Sequence, residues 1–310
     1  MKKIELHLHL DGSCDIDYAS QLLGKDVRDK LVVDNANSLS EYLEKFELPI
    51  SLLQDLDNIE NFSYLLAKAL EKDEVIYAEV RFCPLFHTKK HTVDDVVDSI
   101  IKGFKRVPTV KINLIFCMMR HFSFDENMQI INLTKKFLGS GVVGIDLAGD
   151  EANYKTETFR NLFDVIRREN IPFTIHAGEA DSYKSVLSAI EFGAKRIGHG
   201  IRSIESYDVI NKLISNNITL EVCPTSNIDT KAVNSIINHP IKALVDMGVL
   251  VTINTDNRTV SNTNLCKEYE LLRENFGFTD EDFLKFNLNA IECAFISEEE
   301  KQELINKLLS

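Results

Sequence analysis

Apolar and polar residues alternate at the start of the chain. Between Ile4 and Leu10 every second residue is apolar, and His7 and His9 occupy two of the intervening positions. A period of two residues predicts a β-strand, in which residues two apart share a face. We therefore expect His7 and His9 to point the same way, as half of a metal site. An isolated His-x-His is equally compatible with two polar residues on a half-exposed strand, so the interpretation depends on the rest of the chain.

The segment 14–72 carries helical patterns instead of strands. Predicted helices cover 17–23, 38–46 and 59–70. Ser38, with Glu41 three residues later, is a candidate capping box. Long connections after a strand often cover active sites. We therefore expect a helical insertion that forms a lid after the first strand.

From residue 75 onward, strand-like apolar runs alternate with helical patterns. The further predicted strands are 75–84, 110–119, 142–149, 173–179, 196–200, 219–224 and 250–256. The helices between them are 93–104, 125–138, 159–169, 183–192, 207–216 and 240–247, with more helices to the end. Strict alternation implies an α/β fold with a parallel sheet. Eight such units predict one (β/α)8 TIM barrel domain over residues 1–310.

Polar residues or glycine fall at the carboxyl ends of six of these strands. They are His7 and His9, Gly149, His176 and Glu179, His199, Asn227 just beyond its strand, and Asp256. Barrel enzymes carry their chemistry at this end, whereas structural polar residues would be spread over both ends. The distribution predicts a functional site at the carboxyl-terminal mouth of the barrel.

Three imidazoles and one carboxylate at these strand ends could together hold one divalent ion. The candidates are His7, His9, His176 and Asp256. Zinc is the best match for this set of nitrogen and oxygen donors, although the ligand type also allows iron or cobalt. A lone histidine at a strand end is more often a hydrogen-bonded core residue, so the hypothesis depends on their joint placement.

Glu179 and His199 remain as a candidate acid and base. Glu179 lies at the same rim as His176, and a carboxyl walled by apolar strands can be tuned to donate a proton. His199 is flanked by two glycines, which let another group approach closely. The other histidines fit no metal set. Of these, His87, His91 and His239 are interpreted as surface residues, and His121 could face the site, although a structural role is favoured.

Composition narrows the class of partner. A net charge of −13 argues against a nucleic acid or an anionic membrane, since either needs a basic face, and leaves small ligands open. The six cysteines are scattered, which is typical of reduced thiols in the cytoplasm. Glu5 and His7 interrupt any apolar run after Met-Lys-Lys, so no signal peptide is expected. The sequence specifies no oligomeric state.

Several blocks of residues resemble the adenosine deaminases, a branch of the metal-dependent amidohydrolase superfamily. The blocks are HLHLDGS at 7–13, GIDLAGDE at 144–151, HAGE at 176–179, GHG at 198–200, CPTSN at 223–227 and NTD at 254–256. They follow the family's order and span nearly the whole chain. Several motifs in register are far more specific than a single His-x-His.

The resemblance implies a role for each matching residue. His7, His9, His176 and Asp256 match the ligands of one zinc ion. Glu179 matches the acid that protonates purine N1, and His199 the group that takes a proton from the attacking water and orients it, with Asp256 also accepting from that water. The implied substrate-binding residues are His9, Asp11 for the ribose, Gly149 for purine N3 and Asn257 for N7. The implied reaction converts adenosine or 2′-deoxyadenosine to inosine or 2′-deoxyinosine plus ammonia.

Two departures from the family pattern bear on substrate fit. Many members have an Asp where this chain has Asn257; because N7 is an acceptor, an amide can donate to it without first being protonated. The stretch 14–17 lacks the Leu-Arg-Pro sequence common in the family, which bears on the lid rather than the metal.

The fourth predicted strand bears on the number of metal ions. Relatives that bind two ions use a bridging lysine or carboxylate on this strand. Strand 142–149 has no lysine, and Asp146 lies inside it, short of its end, which favours one metal ion over two.

Two other functions remain as alternatives. A sister enzyme could act on free adenine or an N6-modified adenine nucleotide with the same metal site. A nucleotide phosphate would need a cation at the mouth, for which Arg81, Arg120, Arg202 and Arg258 are the candidates. Asp11 favours a sugar hydroxyl, because a carboxylate repels a phosphate. A non-catalytic purine-binding barrel should have lost a ligand or the acid, and all of these residues are present.

Overall fold

Eight parallel strands form the centre of the molecule. The computed structural model describes residues 1–33, 36 and 39–310. Its strands are β1 Lys3–His9, β2 Val75–Phe82, β3 Lys111–Met119, β4 Val142–Ala148, β5 His176–Ala177, β6 Arg196–His199, β7 Thr219–Val222 and β8 Leu250–Ile253. Each coincides with a predicted strand. The predicted strand 173–179 is regular only in β5: Phe173 makes an isolated bridge with Ile145, and Gly178, with a left-handed φ of 72°, ends the strand.

Helices follow the strands in the predicted alternation. They are α1 Ile16–Leu23, α2 Arg28–Leu31, α3 Leu39–Leu43, α4 Glu47–Leu52, α5 Leu56–Lys72, α6 Val93–Lys105, α7 Phe124–Phe137, α8 Arg160–Arg168, α9 Tyr183–Phe192, α10 Tyr207–Ser215, α11 Pro224–Asp229, α12 Ile241–Asp246, α13 Leu265–Phe276, α14 Asp280–Cys293 and α15 Glu298–Leu309. The sequence patterns did not predict α2, α4 or α11. Pro224 begins α11, where its fixed φ favours a first helical turn. Across the described residues, no helix is both long and apolar enough to span a membrane.

The strands close into a ring. They form two parallel four-stranded sheets, β1 to β4 and β5 to β8, each in sequential order. Isolated parallel bridges join the sheets at both edges, between Leu8 and Asp256 and between Ile145 and Phe173. At the first seam the N–H of Asp256 donates to the carbonyl of His7 over 2.9 Å. The predicted (β/α)8 barrel is therefore confirmed.

The insertion between β1 and β2 contains α1 to α5 and contributes to the mouth of the barrel. Side chains from its middle part line the cavity there, among them Leu39, Tyr42, Phe46 and Ile50. The Tyr42 hydroxyl lies 2.9 Å from Ser261 Oγ, which ties the insertion to the loop after β8. The insertion thus lies where the lid hypothesis places it. The predicted capping box depends on Ser38, which is outside the described residues.

Candidate active site

A cavity at the carboxyl-terminal mouth of the barrel collects nearly all the predicted site residues. Its lining includes His9, Asp11, Gly149, His176, Glu179, His199, Asp256 and Asn257. His7 is fully buried beneath them. The opposite wall is mainly apolar and comes from α3, α4 and the loops after β2 and β3. The cavity therefore combines a polar floor with a mainly apolar wall, as small-molecule sites do.

Four donor atoms converge on this floor. His9 Nε2 lies 3.2 Å from His176 Nε2 and 3.3 Å from Asp256 Oδ1, and His7 Nε2 lies 3.5 Å from the same oxygen. His199 belongs to the same buried group, since its ligand atom and those of His7, His176 and Asp256 lie within 4.8 Å of one another. Adjacent ligands of a tetrahedral zinc ion with bonds of 2.0–2.1 Å are about 3.3 Å apart. The four predicted donors fit that spacing.

Carboxylates beneath the floor orient two of these imidazoles. His7 Nδ1 lies 2.8 Å from Glu221 Oε2, and His176 Nδ1 lies 2.9 Å from Asp146 Oδ2. A carboxylate can only accept, so each ring has its Nδ1–H towards the carboxylate and its Nε2 lone pair towards the cluster. Among the described residues, the buried Nε2 of His7 has no hydrogen-bond partner, as expected of an atom reserved for a metal. The donor set therefore fits a divalent metal cofactor.

One guanidinium connects these two carboxylates. Arg81 donates from Nη1 to Asp146 over 2.8 Å and from Nη2 to Glu221 over 2.9 Å. Burial alone would raise the pKa of Asp146, but the charges of His176 and Arg81 hold it well below the usual range. Burial would likewise raise the pKa of Glu221, but Arg81 and Arg196 hold that pKa well below the usual range. Both carboxylates therefore stay ionised. The sequence alone did not predict this role for Arg81, and the available signal was two charged residues, Glu79 and Arg81, inside a mainly apolar strand.

The candidate acid lies beside this cluster. Glu179 is only 5% exposed, and burial first, then the charge of Asp256, raises its pKa to about 7. Its Oε1 accepts from Thr230 Oγ1 at 2.9 Å and from Asn227 Nδ2 at 3.5 Å. Its Oε2 lies 3.5 Å from His199 Nε2. Because the donors converge on Oε1, Oε2 is the oxygen left to carry a proton.

The backbone that carries this acid is held by a second buried carboxylate. Glu151 accepts from four consecutive backbone N–H groups, of residues 178 to 181, over 2.6 to 3.1 Å. It also accepts from the hydroxyl of Ser185. Four donors on one side chain fix the loop that carries Glu179. Glu151 lies within one of the blocks that resemble the family, but the sequence alone assigns it no role.

Backbone geometry at the floor explains two of the residue choices. A Cβ at Gly198 would lie 2.9 Å from Cε1 of His7, so the glycine permits the close approach that the sequence pattern suggested. His199 and Asp256 both adopt left-handed φ values, of 59° and 60°. Such φ values are uncommon for residues other than glycine and asparagine, so surrounding contacts must compensate for the strain at both positions.

The remaining predicted substrate contacts line the same cavity. Asp11 is 5% exposed, and burial raises its pKa to about 7. Neither Asp11 Oδ1 nor Asn257 Oδ1 has a hydrogen-bond partner among the described residues. Asn257 Oδ1 lies against Gly12, where a Cβ would come within 1.9 Å of it. Gly149 has a left-handed φ of 101° at the cavity wall.

Two histidines interpreted as surface residues are buried, so that interpretation was wrong. His87 is 1% exposed and lies 3.2 Å from the carbonyl of Leu53 through Nδ1. His239 is 3% exposed and contacts Asn227. The loop of His87 packs under the insertion and the loop of His239 packs under α11, and the polar composition of a loop does not reveal such packing. His121 is exposed and lines the cavity rim against Phe86.

Comparisons with known proteins show which family and fold the chain resembles. An adenosine deaminase from Clostridium perfringens is 40% identical over 98% of this chain and 97% of its own length. Among solved structures, an adenine deaminase from Arthrobacter aurescens has a TM-score of 0.88 at 22% identity, covering 99% of this chain and 98% of its own. The N6-mAMP deaminase of arabidopsis has a TM-score of 0.88 at 25% identity, covering 99% and 97%.

The adenosine deaminase of Clostridium perfringens is related in sequence over nearly the whole of both chains, whereas the adenine deaminase shows only that the fold is shared. The sequence profile described as Adenosine deaminase matches residues 2–310, which include every residue of the cavity floor. From this match and the relative at 40% identity, we conclude that the chain belongs to the adenosine deaminase family.

Proposed function

We propose that this enzyme hydrolyses adenosine and 2′-deoxyadenosine to inosine and 2′-deoxyinosine, with release of ammonia. The observation that carries the proposal is Glu179, a buried carboxyl with a pKa of about 7 beside a converging His and Asp cluster. Family membership and the 40% identical adenosine deaminase of Clostridium perfringens support the same reaction.

We assign the converging donors to one zinc ion. The site has three imidazole nitrogens and one carboxylate oxygen, from His7, His9, His176 and Asp256. This set of donors favours zinc over harder ions. When bound, zinc acts as a Lewis acid that lowers the pKa of water to ~7. Asp256 stays ionised, because the contacts with His7 and the charges of nearby histidines outweigh its burial and hold its pKa well below the usual range. Ser226 Oγ donates to its other oxygen over 2.5 Å.

Glu179 acts as the acid towards the purine ring. With Thr230 and Asn227 both donating to Oε1, its proton lies on Oε2 and faces the cavity. Transfer of that proton to N1 disrupts the aromatic ring and makes C6 electrophilic. A pKa near the working pH makes a carboxyl an efficient donor. The apolar wall from the insertion excludes water from this transfer.

The cavity favours a nucleoside over a nucleotide. None of the described residues that line it is a lysine or an arginine. The four arginines considered as phosphate ligands are engaged elsewhere: Arg81 pairs with Asp146 and Glu221, Arg120 donates to the carbonyl of His176, Arg202 to that of Ala232, and Arg258 pairs with Asp73. Asp11 can hydrogen-bond a ribose hydroxyl in either protonation state. Asn257 and Gly149 complete the proposed contacts to N7 and N3.

The surroundings proposed for this enzyme follow from its composition. A net charge of −13 suits a small-molecule enzyme without a nucleic-acid or membrane partner. Four of the six cysteines are buried thiols, Cys14, Cys83, Cys117 and Cys223, a pattern typical of the reducing cytoplasm. We therefore place the enzyme in the cytoplasm.

An ultraviolet assay tests the reaction and the substrate class together. Zinc-loaded protein is mixed separately with adenosine, 2′-deoxyadenosine, adenine, AMP and N6-methyl-AMP, and loss of the 6-amino group is followed by the change in purine absorbance. We expect rapid change with the two nucleosides alone. Change only with adenine or a nucleotide would overturn the substrate assignment but keep the chemistry. No change in any sample would overturn the proposed reaction.

A further inference from the structure

A chain of hydrogen bonds leads from a backbone amide outside the cavity to His199. The N–H of Ile241 donates to His239 Nδ1 over 3.2 Å. His239 Nε2 lies 3.2 Å from Asn227 Oδ1, and Asn227 Nδ2 lies 3.0 Å from His199 Nδ1. All three side chains are at most 3% exposed. Buried polar groups are usually hydrogen-bonded, so we expect complementary partners along this chain of side chains.

The direction of every hydrogen bond in this chain is set at its outer end. A backbone N–H can only donate, so His239 Nδ1 must be the acceptor and has no proton. The imidazole of His239 then carries its hydrogen on Nε2, which donates to Asn227. This requires the oxygen of the Asn227 amide on the His239 side, and the amide nitrogen on the other side.

The other side of the amide faces His199 and Glu179. Asn227 Nδ2 has two hydrogens, and it has two acceptors within reach: His199 Nδ1 at 3.0 Å and Glu179 Oε1 at 3.5 Å. Both hydrogens are therefore used. Flipping the amide would place its NH2 group against the Nε2–H of His239 and its oxygen against Glu179 Oε1. The hydrogen bond to His239 and the hydrogen bond to Glu179 would then both be lost. The packing admits one orientation.

We propose that His239 is a positioning residue that, through Asn227, fixes His199 as the tautomer with its hydrogen on Nε2. His199 Nδ1 is an acceptor in this arrangement, and Nε2, which has no hydrogen-bond partner among the described residues, carries its N–H 3.5 Å from Glu179 Oε2. His199 is therefore free to donate a hydrogen bond to a ligand in the site and does not remove a proton from the attacking water, which differs from the role that the sequence resemblance implied. Asp256 is then the residue left to accept from that water. The link to the attacking water rests on the proposed function, whereas the tautomer does not.

Nuclear magnetic resonance tests the tautomer without any substrate. Long-range correlations between ring carbon-bound hydrogens and ¹⁵N distinguish the two neutral imidazole tautomers and the imidazolium. Zinc-loaded protein with ¹⁵N-labelled histidine is compared with a His199→Gln variant, whose missing signals assign the residue. We expect an unprotonated Nδ1 and a protonated Nε2 for both His199 and His239. A protonated Nδ1 at His199 would overturn the proposal, whatever the outcome of the activity assay.

Two substitutions test the relay itself. Asn227→Asp replaces the donor beside His199 with an acceptor, so we expect the hydrogen of His199 to move to Nδ1. His239→Leu removes the donor that orients the amide, and His239→Gln keeps a donor there. For His239→Leu we expect mixed tautomers of His199 and a kcat about tenfold lower with little change in KM, the size of one lost hydrogen bond. His239→Gln should restore both.

The half-buried His91, outside the relay, is the internal control and should keep its spectrum in every variant. If His239→Leu leaves the His199 signals and kcat unchanged, His239 does not set the tautomer. If His239→Leu fails to fold, the wild-type spectrum and the Asn227→Asp spectrum still decide the question.

Discussion

Glu151 Oε2 accepts a hydrogen bond from the backbone N–H of Glu179 over 2.9 Å, so one acidic residue positions another. Glutamine at position 151 would turn an NH2 group towards one or more of the four N–H donors. Unpaired buried donors cost about 1–3 kcal/mol each. We therefore expect Glu151→Gln to lower kcat by more than about tenfold while the zinc content stays near one per chain. Elemental analysis and steady-state kinetics measure these two quantities.

The control for this variant is Glu157→Gln, which lies on the same connection but is exposed. It should behave as the wild type. If Glu151→Gln keeps a normal kcat, the loop that carries Glu179 does not need its carboxylate.

Replacing Glu221 should weaken metal binding. Its Oε2 contacts His7 and Arg81, and its Oε1 contacts Arg196 at 2.7 Å. A glutamine must direct its NH2 at one of these donors and loses the charge that holds the imidazole of His7. Loss of such a carboxylate typically reduces metal affinity by about 10–100-fold. Competition with a chelator measures the zinc affinity of Glu221→Gln.

Glu303→Gln, an exposed change on α15, serves as the comparison and should leave the zinc affinity unaltered. Equal affinity in Glu221→Gln and wild type would contradict an orienting role for this carboxylate.

The proposed acid role of Glu179 predicts the direction in which activity changes with pH. The pKa of its carboxyl in the free enzyme is raised to about 7, and only the protonated form can donate, so kcat/KM should decline as the pH rises through that value. Glu179→Gln should keep its zinc and lose nearly all turnover, since a general acid supplies about 10²–10⁴-fold. A pH–rate profile of the wild type and zinc analysis of the variant measure both effects. A variant with a near-normal rate would remove Glu179 as the acid.

Asn257 offers a test of how the purine N7 is recognised. The amide donates at every pH, whereas an aspartate donates only when protonated. At this buried position, next to Asp256, an introduced carboxyl should have a raised pKa. We expect Asn257→Asp to be active at acidic pH and to lose activity relative to wild type as the pH rises.

The ratio of kcat/KM for Asn257→Asp and wild type across the pH range is the measurement. The exposed Asn262→Asp is its control and should give a constant ratio. Complete inactivity of Asn257→Asp at acidic pH would show that donation to N7 is not what this position supplies.

The alternation of strands and helices was sufficient to predict the barrel, and polar residues at strand ends were sufficient to predict its functional end. The pairs beneath the floor could not be predicted in this way. Arg81 and Glu221 lie 140 positions apart, and their contact depends on the register between strands that are not neighbours in sequence. His239 was misassigned because its loop composition says nothing about what packs over it. Local sequence patterns thus predict helices, strands and the side of each that is buried, whereas contacts across the barrel become visible only in the folded structure.

The seam that joins β1 to the segment after β8 has a consequence for how the enzyme matures. His7 and His9 are synthesised long before Asp256, which is bridged to Leu8 across that seam. Because synthesis proceeds from the amino end, a nascent chain has only part of the donor set until the segment after β8 has been made. Tight zinc retention would therefore report that the last strand has docked, and a truncated chain that ends before Asp256 should be left both open and metal-poor.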